Sequence, residues 1–290
     1  MATALTDAAV IAAVMAADSL PLTDTERWHA FDAKARREES RYQSAALALF
    51  AKERDHVITR ILDNVPGFKS PLDPHPAITD PYVEAALLFI AADYAPGGRY
   101  HAAWLARYRR LIERTMQVGA RGVDARVGLS FRLANPRAQA AIQRRVTQLT
   151  GNVTETTLQR IRDVIAQGRT EGIGITELTS RIREQAFGGA VTQARARTIA
   201  RTETVGALNE GAFVAATSGG VMQAKRWLSQ RDARVRDSHV DAEGEGWIAI
   251  SGVFGNGLSH PHQAGAPAAE VINCRCTLLY SDQPPNEAGP

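Results

Sequence analysis

The apolar positions of this chain recur mostly at helical intervals. From Thr23 to about Val65, Trp28, Phe31, Ala35, Tyr42, Ala45 and Leu49 follow one another at steps of three, four or seven, and no Gly or Pro intervenes before Pro66. That spacing predicts one helix of about forty residues, roughly 60 Å long at 1.5 Å per residue. A helix of that length outreaches a small core and packs along something large: a neighbouring helix of the same chain, a partner subunit or a coiled coil. Residues 66–81, "PGFKSPLDPHPAITDP", hold five prolines and read as a loop, because proline lacks an amide donor and disfavours helix at the residue before it.

Two helices are predicted next, Pro81 to Tyr94 and Arg99 to about Val118. A glycine-containing connector follows over 119–134, with a short strand at "VGLSFRL". Three helix starts carry a capping mechanism: Asn135 before Pro136, Asn152 with Glu155 three residues on, and Gly174 with Glu177 three on. Ile142, Val146 and Leu149 line the first, Leu158, Ile161 and Ile165 the second, Leu178 and Ile182 the third. A further helix runs from about Val191 to Thr217 and stops at Gly219 and Gly220.

Beyond residue 220 the period shortens. "AKRWLS", "GWIAI" and "CRCTLLY" are short, alternating, and rich in β-branched and aromatic residues between glycine-rich turns, which predicts strands. The fold class is therefore α+β, with a mainly helical N-terminal arm over 1–134, helices over 135–218 leading into short strands over 224–281, and a tail at 282–290.

Composition narrows the function classes. No run of about eighteen uncharged apolar residues is present, so no membrane-spanning helix is predicted. "LTDAAVIAAVMAADSL" at 5–20 lacks a basic n-region, carries Asp7 and Asp18, and reads as a short helix of a protein not exported by a signal peptide. The formal net charge is +3 but unevenly spread: from Arg99 to Arg145 eleven arginines face only Glu113 and Asp124. Arg107, Arg109, Arg110, Arg114, Arg121, Arg126 and Arg132 are candidates for contact with nucleic-acid phosphates or an acidic partner. The alternative is a set of solvated helix faces.

Chemistry-bearing side chains gather near the C-terminus. They are Arg201, Thr202, Glu203 and Asn209; Asp232, Arg234, Arg236 and His239; His260 and His262; and "NCRC", Asn273 to Cys276. On a strand Cys274 and Cys276 share one face with Leu278 and Tyr280, while Asn273 and Arg275 take the other. The two cysteines then read as buried core thiols, or as half of a zinc site completed by two of His239, His260 and His262. A bridge between residues two apart on a strand would be strained, and no oxyanion hole is legible for a cysteine nucleophile. Glu203, Asp232 and His239 could also suggest a metal nuclease, but the intervening arginines favour an ion-pair network that holds loops to the sheet.

In order, "IARTETVGALNEG", "KRWLSQRDARVRDSHVDAEGE" and "VFGNGLSHPHQAGAPAAEVINCRCTLLY", with the helices before them, make Asn135 to Tyr280 resemble the phage Mu F-like head morphogenesis family of tailed bacteriophages. The pieces that carry the resemblance are Arg201-Thr202-Glu203 with Asn209, Lys225 with Trp227, Asp232-x-Arg234-Val235-Arg236-x-x-His239, Pro261, and Asn273-Cys274-Arg275-Cys276. Where the family often shows Pro-Gly-Asp-Pro, this chain has Pro261-His262-Gln263-Ala264, a loop without the acid. The resemblance implies a minor capsid protein that joins the portal vertex during head assembly, located in the virion and, during assembly, in the host cytoplasm. It implies a portal oligomer as partner, with packaged double-stranded DNA and a major capsid or scaffold protein as further candidates. It also implies a part in DNA packaging or ejection, no catalytic residue, and a portal-docking role for residues 1–134; apart from the zinc candidate read from the residues themselves, no cofactor is expected. Only "SDQPPNEAGP" follows Tyr280, so no appended effector domain is expected. The rival expectation is a metal-dependent nuclease built on Glu203, Asp232, His239, Cys274 and Cys276.

Overall fold

The structure, a computed structural model, describes residues 22–63, 81–127 and 131–288. The expected helix at 5–20 and most of the proline-rich loop at 66–81 lie outside the described residues. Helix α1 (Asp24–Asp63) is the predicted long helix. A reciprocal cap starts it: Thr23 Oγ1 accepts from the Glu26 amide at 3.3 Å, and Glu26 Oε2 accepts from the Thr23 amide at 2.7 Å. Helices α2 (Pro81–Tyr94) and α3 (Arg99–Val127) follow, then α4 (Pro136–Glu171), α5 (Ile175–Arg181), a π-helical turn over Ile182–Ala186, and α6 (Gly189–Ser218).

Three sequence expectations are corrected by the structure. The break expected at Gly119 is absent, because α3 continues to Val127. Gly119 is instead a contact point: a Cβ there would lie 2.1 Å from the Leu208 carbonyl oxygen of α6, and a Cβ on Gly211 of α6 would lie 2.1 Å from the Met116 oxygen of α3. Residues 131 and 132 are not strand, and 128–130 lie outside the described residues.

The helix start expected at Asn152 is also absent, because α4 runs through it. Leu149, Val153, Thr157, Ile161 and Ile165 are buried at steps of four, so the apolar face keeps its register across Gly151 and the cap signal loses to helix continuation. Asn135 does cap α4, its side chain accepting from the Arg137 amide at 2.8 Å, with Pro136 in the first turn. Nothing surrounds the Cβ position of Gly151 within 4 Å. Gly151→Ala is therefore expected to stabilise the protein by about 0.5–1 kcal/mol in urea denaturation.

One apolar cluster spans Tyr42 to Val214 and takes residues from α1 to α6, so helices before and after residue 134 share a core. The long α1 finds its partners within the chain, chiefly α6 and α3. Polar atoms inside this core are seated. Glu53, 1% exposed, accepts from the Tyr94 hydroxyl at 2.9 Å and from the Trp104 indole, and burial raises its carboxyl to about 7.

The C-terminal part is a three-stranded antiparallel sheet of β1 (Ala224–Leu228), β2 (Trp247–Ala249) and β3 (Thr277–Ser281) in the order β2-β1-β3. Lys225 pairs with Ile248 on one side and Tyr280 on the other. Short helices α7 (Asp237–Gly244) and α8 (Ala268–Val271) complete it. A second cluster, with Trp227, Ala242, Phe254, Cys274, Cys276, Leu278 and Tyr280, lies under the sheet. The α+β class expected from the period change is what the chain adopts.

The sheet is tied to the start of α1 by charge. Arg226 on β1 holds both carboxylate oxygens of Asp24 at 2.8 Å. Arg275 reaches Asp32 at 3.3 Å and Asp232, and stacks over the Trp28 ring. The Trp28 indole donates to the Arg275 carbonyl at 3.1 Å. Bidentate and stacked arginines are the geometries in which such pairs hold best.

Candidate metal centre and its polar surroundings

Strand β3 begins only at Thr277, so Cys274 and Cys276 sit in the extended segment that leads into it and not on the strand itself. The inward set expected for a strand persists: Cys274, Cys276, Leu278 and Tyr280 are all buried, with Arg275 and Leu279 between them less so, while Thr277 is buried as well on the other face, against Asn209. Asn273 turns the chain into this segment with a left-handed φ of 60°, a conformation Asn tolerates better than most residues. Its side chain is exposed, and what it contributes to the fold is its amide, which donates to Thr202 Oγ1 of α6 at 3.1 Å.

Helix α7 carries His239 to the same point. Its Nδ1 lies 3.6 Å from Cys274 Sγ and 3.4 Å from Cys276 Sγ, and the ligand atoms of the three residues all fall within 4.8 Å of one another. All three are 2% exposed or less, and the cysteines are free thiols. The other ring nitrogen, Nε2, meets Glu270 Oε2 of α8 at 2.9 Å, and Ser238 Oγ donates to the same carboxylate at 3.0 Å. Trp227 covers His239 with ring centroids 5.0 Å apart.

The two thiols do not titrate alike. Cys274 donates toward Cys276, which pushes the Cys276 thiol down and the Cys274 thiol up; His239 and the Gln230 amide add to the first effect, and burial opposes it. The pair therefore titrates as one unit, with the two thiols pushed in opposite directions. The Cys276 carbonyl is held by Asn209 Nδ2 at 2.9 Å, and Asn209 Oδ1 accepts from the Thr277 hydroxyl at 2.8 Å. This locks the cysteine segment to α6.

His262 lies outside the three-residue set. Its Nε2 faces the Cys274 carbonyl at 2.8 Å, and burial, then the nearby Arg145, lowers it to about 3, so the ring is neutral. His260 faces Glu210 at 3.7 Å, and burial lowers it too.

Glu203 and Asp232, expected as ligands in the nuclease reading, are directed elsewhere. Glu203 pairs with Arg145 at 3.3 Å, and burial raises its carboxyl against the pull of that arginine. Asp232 accepts from Arg275, from Gln230 Nε2 at 2.7 Å and from the Arg234 amide at 3.0 Å. Arg234 has an exposed side chain, Arg236 donates to the Ile272 carbonyl at 2.6 Å, and Arg201 stands 3.9 Å from Glu39 of α1. A cleft of about 610 Å³ opens between α4, α6 and the 262–272 loop, lined in part by Arg145, Glu203 and His262. Its carboxylate, Glu203, faces Arg145, and a second guanidinium, that of Arg195, also lines the cleft.

Two anchors of this region escaped sequence reasoning. Arg145, 5% exposed, reaches Glu203, the His262 carbonyl and, at 3.8 Å, Glu210. The available signal was its position, three residues after Ile142 on the apolar face of α4. Glu270 gave no comparable signal. Lys225, one of the motif positions, is fully buried on β1, and its Nζ donates to the carbonyls of Gly252 at 2.6 Å and Ser259 at 2.8 Å. Burial lowers its ammonium to about 8.

The arginine-rich segment lies on α3. Arg107, Arg110, Arg114 and Arg121 are exposed, and their spacing of three, four and seven puts them on one helix face, about 21 Å from first to last. Arg114 also approaches Glu38 at 3.4 Å. Arg109 is half-buried and bridges Glu113 at 3.0 Å to Gln139 and Gln143 of α4. Arg132 is exposed in the turn before α4, and the side chain of Arg126 lies outside the described residues.

Among known proteins, residues 159–279 match the model of the family described as Phage Mu protein F like protein. That span covers the last third of α4 and all that follows as far as β3, including His239, both cysteines, Arg201, Asn209 and Asp232. No curated protein and no solved structure matches the chain.

Proposed function

We propose that this chain, phage Mu F-like over residues 159–279, is a minor head protein that docks at the portal vertex during assembly and presents the α3 arginine face to packaged DNA. The match points to a phage head morphogenesis protein, and within the described residues no helix is long and apolar enough to cross a membrane. The observation that supports DNA contact is the aligned stripe of Arg107, Arg110, Arg114 and Arg121, exposed and, among the described residues, with only Arg114 in an ion pair. Support for a binding role over turnover comes from the site itself, where Glu203 and Asp232 are spent on arginine partners.

The head-assembly part is tested by sedimentation of the purified chain with the portal oligomer and by its copy number in purified particles. Absence from particles would sink it. The DNA part is tested by binding to duplex DNA across a salt series. Each phosphate neutralised contributes about 0.9 to the slope of log K against log salt. Replacing all four arginines by Ser is expected to flatten that slope by about 3, because Arg114 is partly engaged by Glu38. An unchanged slope would remove DNA as the partner of this face.

A further inference from the structure

We propose that His239, Cys274 and Cys276 bind one zinc ion, which staples α7 to the segment entering β3. Three independent features of the geometry carry this. The first is distance. A tetrahedral zinc with bonds of about 2.3 Å to sulfur and about 2.05 Å to nitrogen holds those ligand atoms about 3.6 Å apart. The two nitrogen-to-sulfur separations here are 3.6 and 3.4 Å.

The second is the histidine's orientation. A carboxylate can only accept, so Glu270 opposite Nε2 assigns the ring proton to Nε2 and leaves the Nδ1 lone pair aimed between the two sulfurs. A carboxylate behind a histidine, itself fixed by a serine, is the arrangement that orients metal-binding imidazoles.

The third is charge and surroundings. Two thiolates and a neutral imidazole around a divalent cation sum to zero, which suits residues 2% exposed or less beneath Trp227. The amide of Cys276 also points at Cys274 Sγ, 3.4 Å away, as a donor to a thiolate would. Among the described residues no fourth His, Cys, Asp or Glu joins the set, so the remaining tetrahedral position falls to a water molecule. Soft sulfur ligands with one imidazole select zinc over magnesium or calcium. On uptake each thiol gives its proton to solvent, and nothing is oxidised or reduced.

The test uses the full chain, purified without metal-affinity resin under reducing conditions, stripped with chelator, and titrated with zinc and with cobalt(II). The expected results are one equivalent of zinc by elemental analysis, a Tm raised on zinc addition, and a thiolate-to-cobalt charge-transfer band in the near ultraviolet. Cys276→Ser, Cys274→Ser and His239→Gln should each weaken zinc binding at least tenfold, and either Cys→Ser variant that still binds cobalt should show about half the charge-transfer intensity. Should the variants fail to fold, the cobalt spectrum and stoichiometry of the unmodified chain decide alone. Sub-stoichiometric zinc with no charge-transfer band would overturn the proposal and leave the three as buried core residues. Neither outcome bears on portal or DNA binding, which are read in separate assays.

Discussion

Arg145→Met is expected to destabilise the protein by about 3–5 kcal/mol, the usual loss when one partner of a buried ion pair is removed. The guanidinium is 5% exposed and stands between Glu203 at 3.3 Å and Glu210 at 3.8 Å, while donating to the His262 carbonyl. Without it two buried carboxylates lose the guanidinium that pairs with both. The sign of the pH effect follows from Glu203. Burial already raises its folded pKa above the unfolded value, and loss of Arg145 raises it further. A carboxyl raised on folding favours the native state at low pH, and that contribution disappears as pH rises through the folded pKa. The variant should therefore lose less stability at pH 5 than at pH 8, as measured by urea denaturation at both. An equal loss at both would mean that the arginine acts through the packing of its stem and not through its charge.

Gly119→Ala is expected to cost about 3 kcal/mol or more, because a methyl group 2.1 Å from the Leu208 carbonyl oxygen can be accommodated only by moving α3 away from α6. Gly211→Ala meets the mirror-image obstacle at the Met116 oxygen, also 2.1 Å away. Since one separation of the helices relieves both clashes, the double variant should lose less than the sum of the singles, a coupling that a double-mutant cycle in urea would read directly. The contrast with Gly151→Ala matters: the same substitution within a helix is stabilising where the Cβ meets nothing. A mild and additive effect at 119 and 211 would show that the helix crossing is looser than described.

These two glycines also show where the sequence stopped being informative. Read locally, Gly119 is a helix breaker, and the connector expected after Val118 follows from that reading. In the structure α3 continues through it to Val127, because the contact of α3 with α6 needs a residue without a side chain. Asn152 similarly offers a good cap, yet the apolar residues on either side of it stay in helical phase, and burial along α4 outweighs a capping bond worth about 1 kcal/mol. At the C-terminal end the pattern of the side chains was legible while their backbone was not. Cys274, Cys276, Leu278 and Tyr280 alternate inward as expected, although only the last two lie on a strand.

What the amino-acid sequence determined by itself was periodic or local: the long helix from Thr23, the change of period after Gly220, the burial of both cysteines, the arginine excess on one helix, and the family-like order of motifs. Such features depend on residues within a turn or two of one another. Tertiary structure alone decided the pairings. Residues 35 to 37 apart in sequence bring His239 and not His262 to the thiols; α8 supplies Glu270; α1 supplies Asp24 and Asp32 to the sheet's arginines. Each of those choices is made by which helix faces dock together. No spacing along the chain encodes that, because docking geometry is set by side-chain volume and by glycine gaps at contacts far apart in sequence.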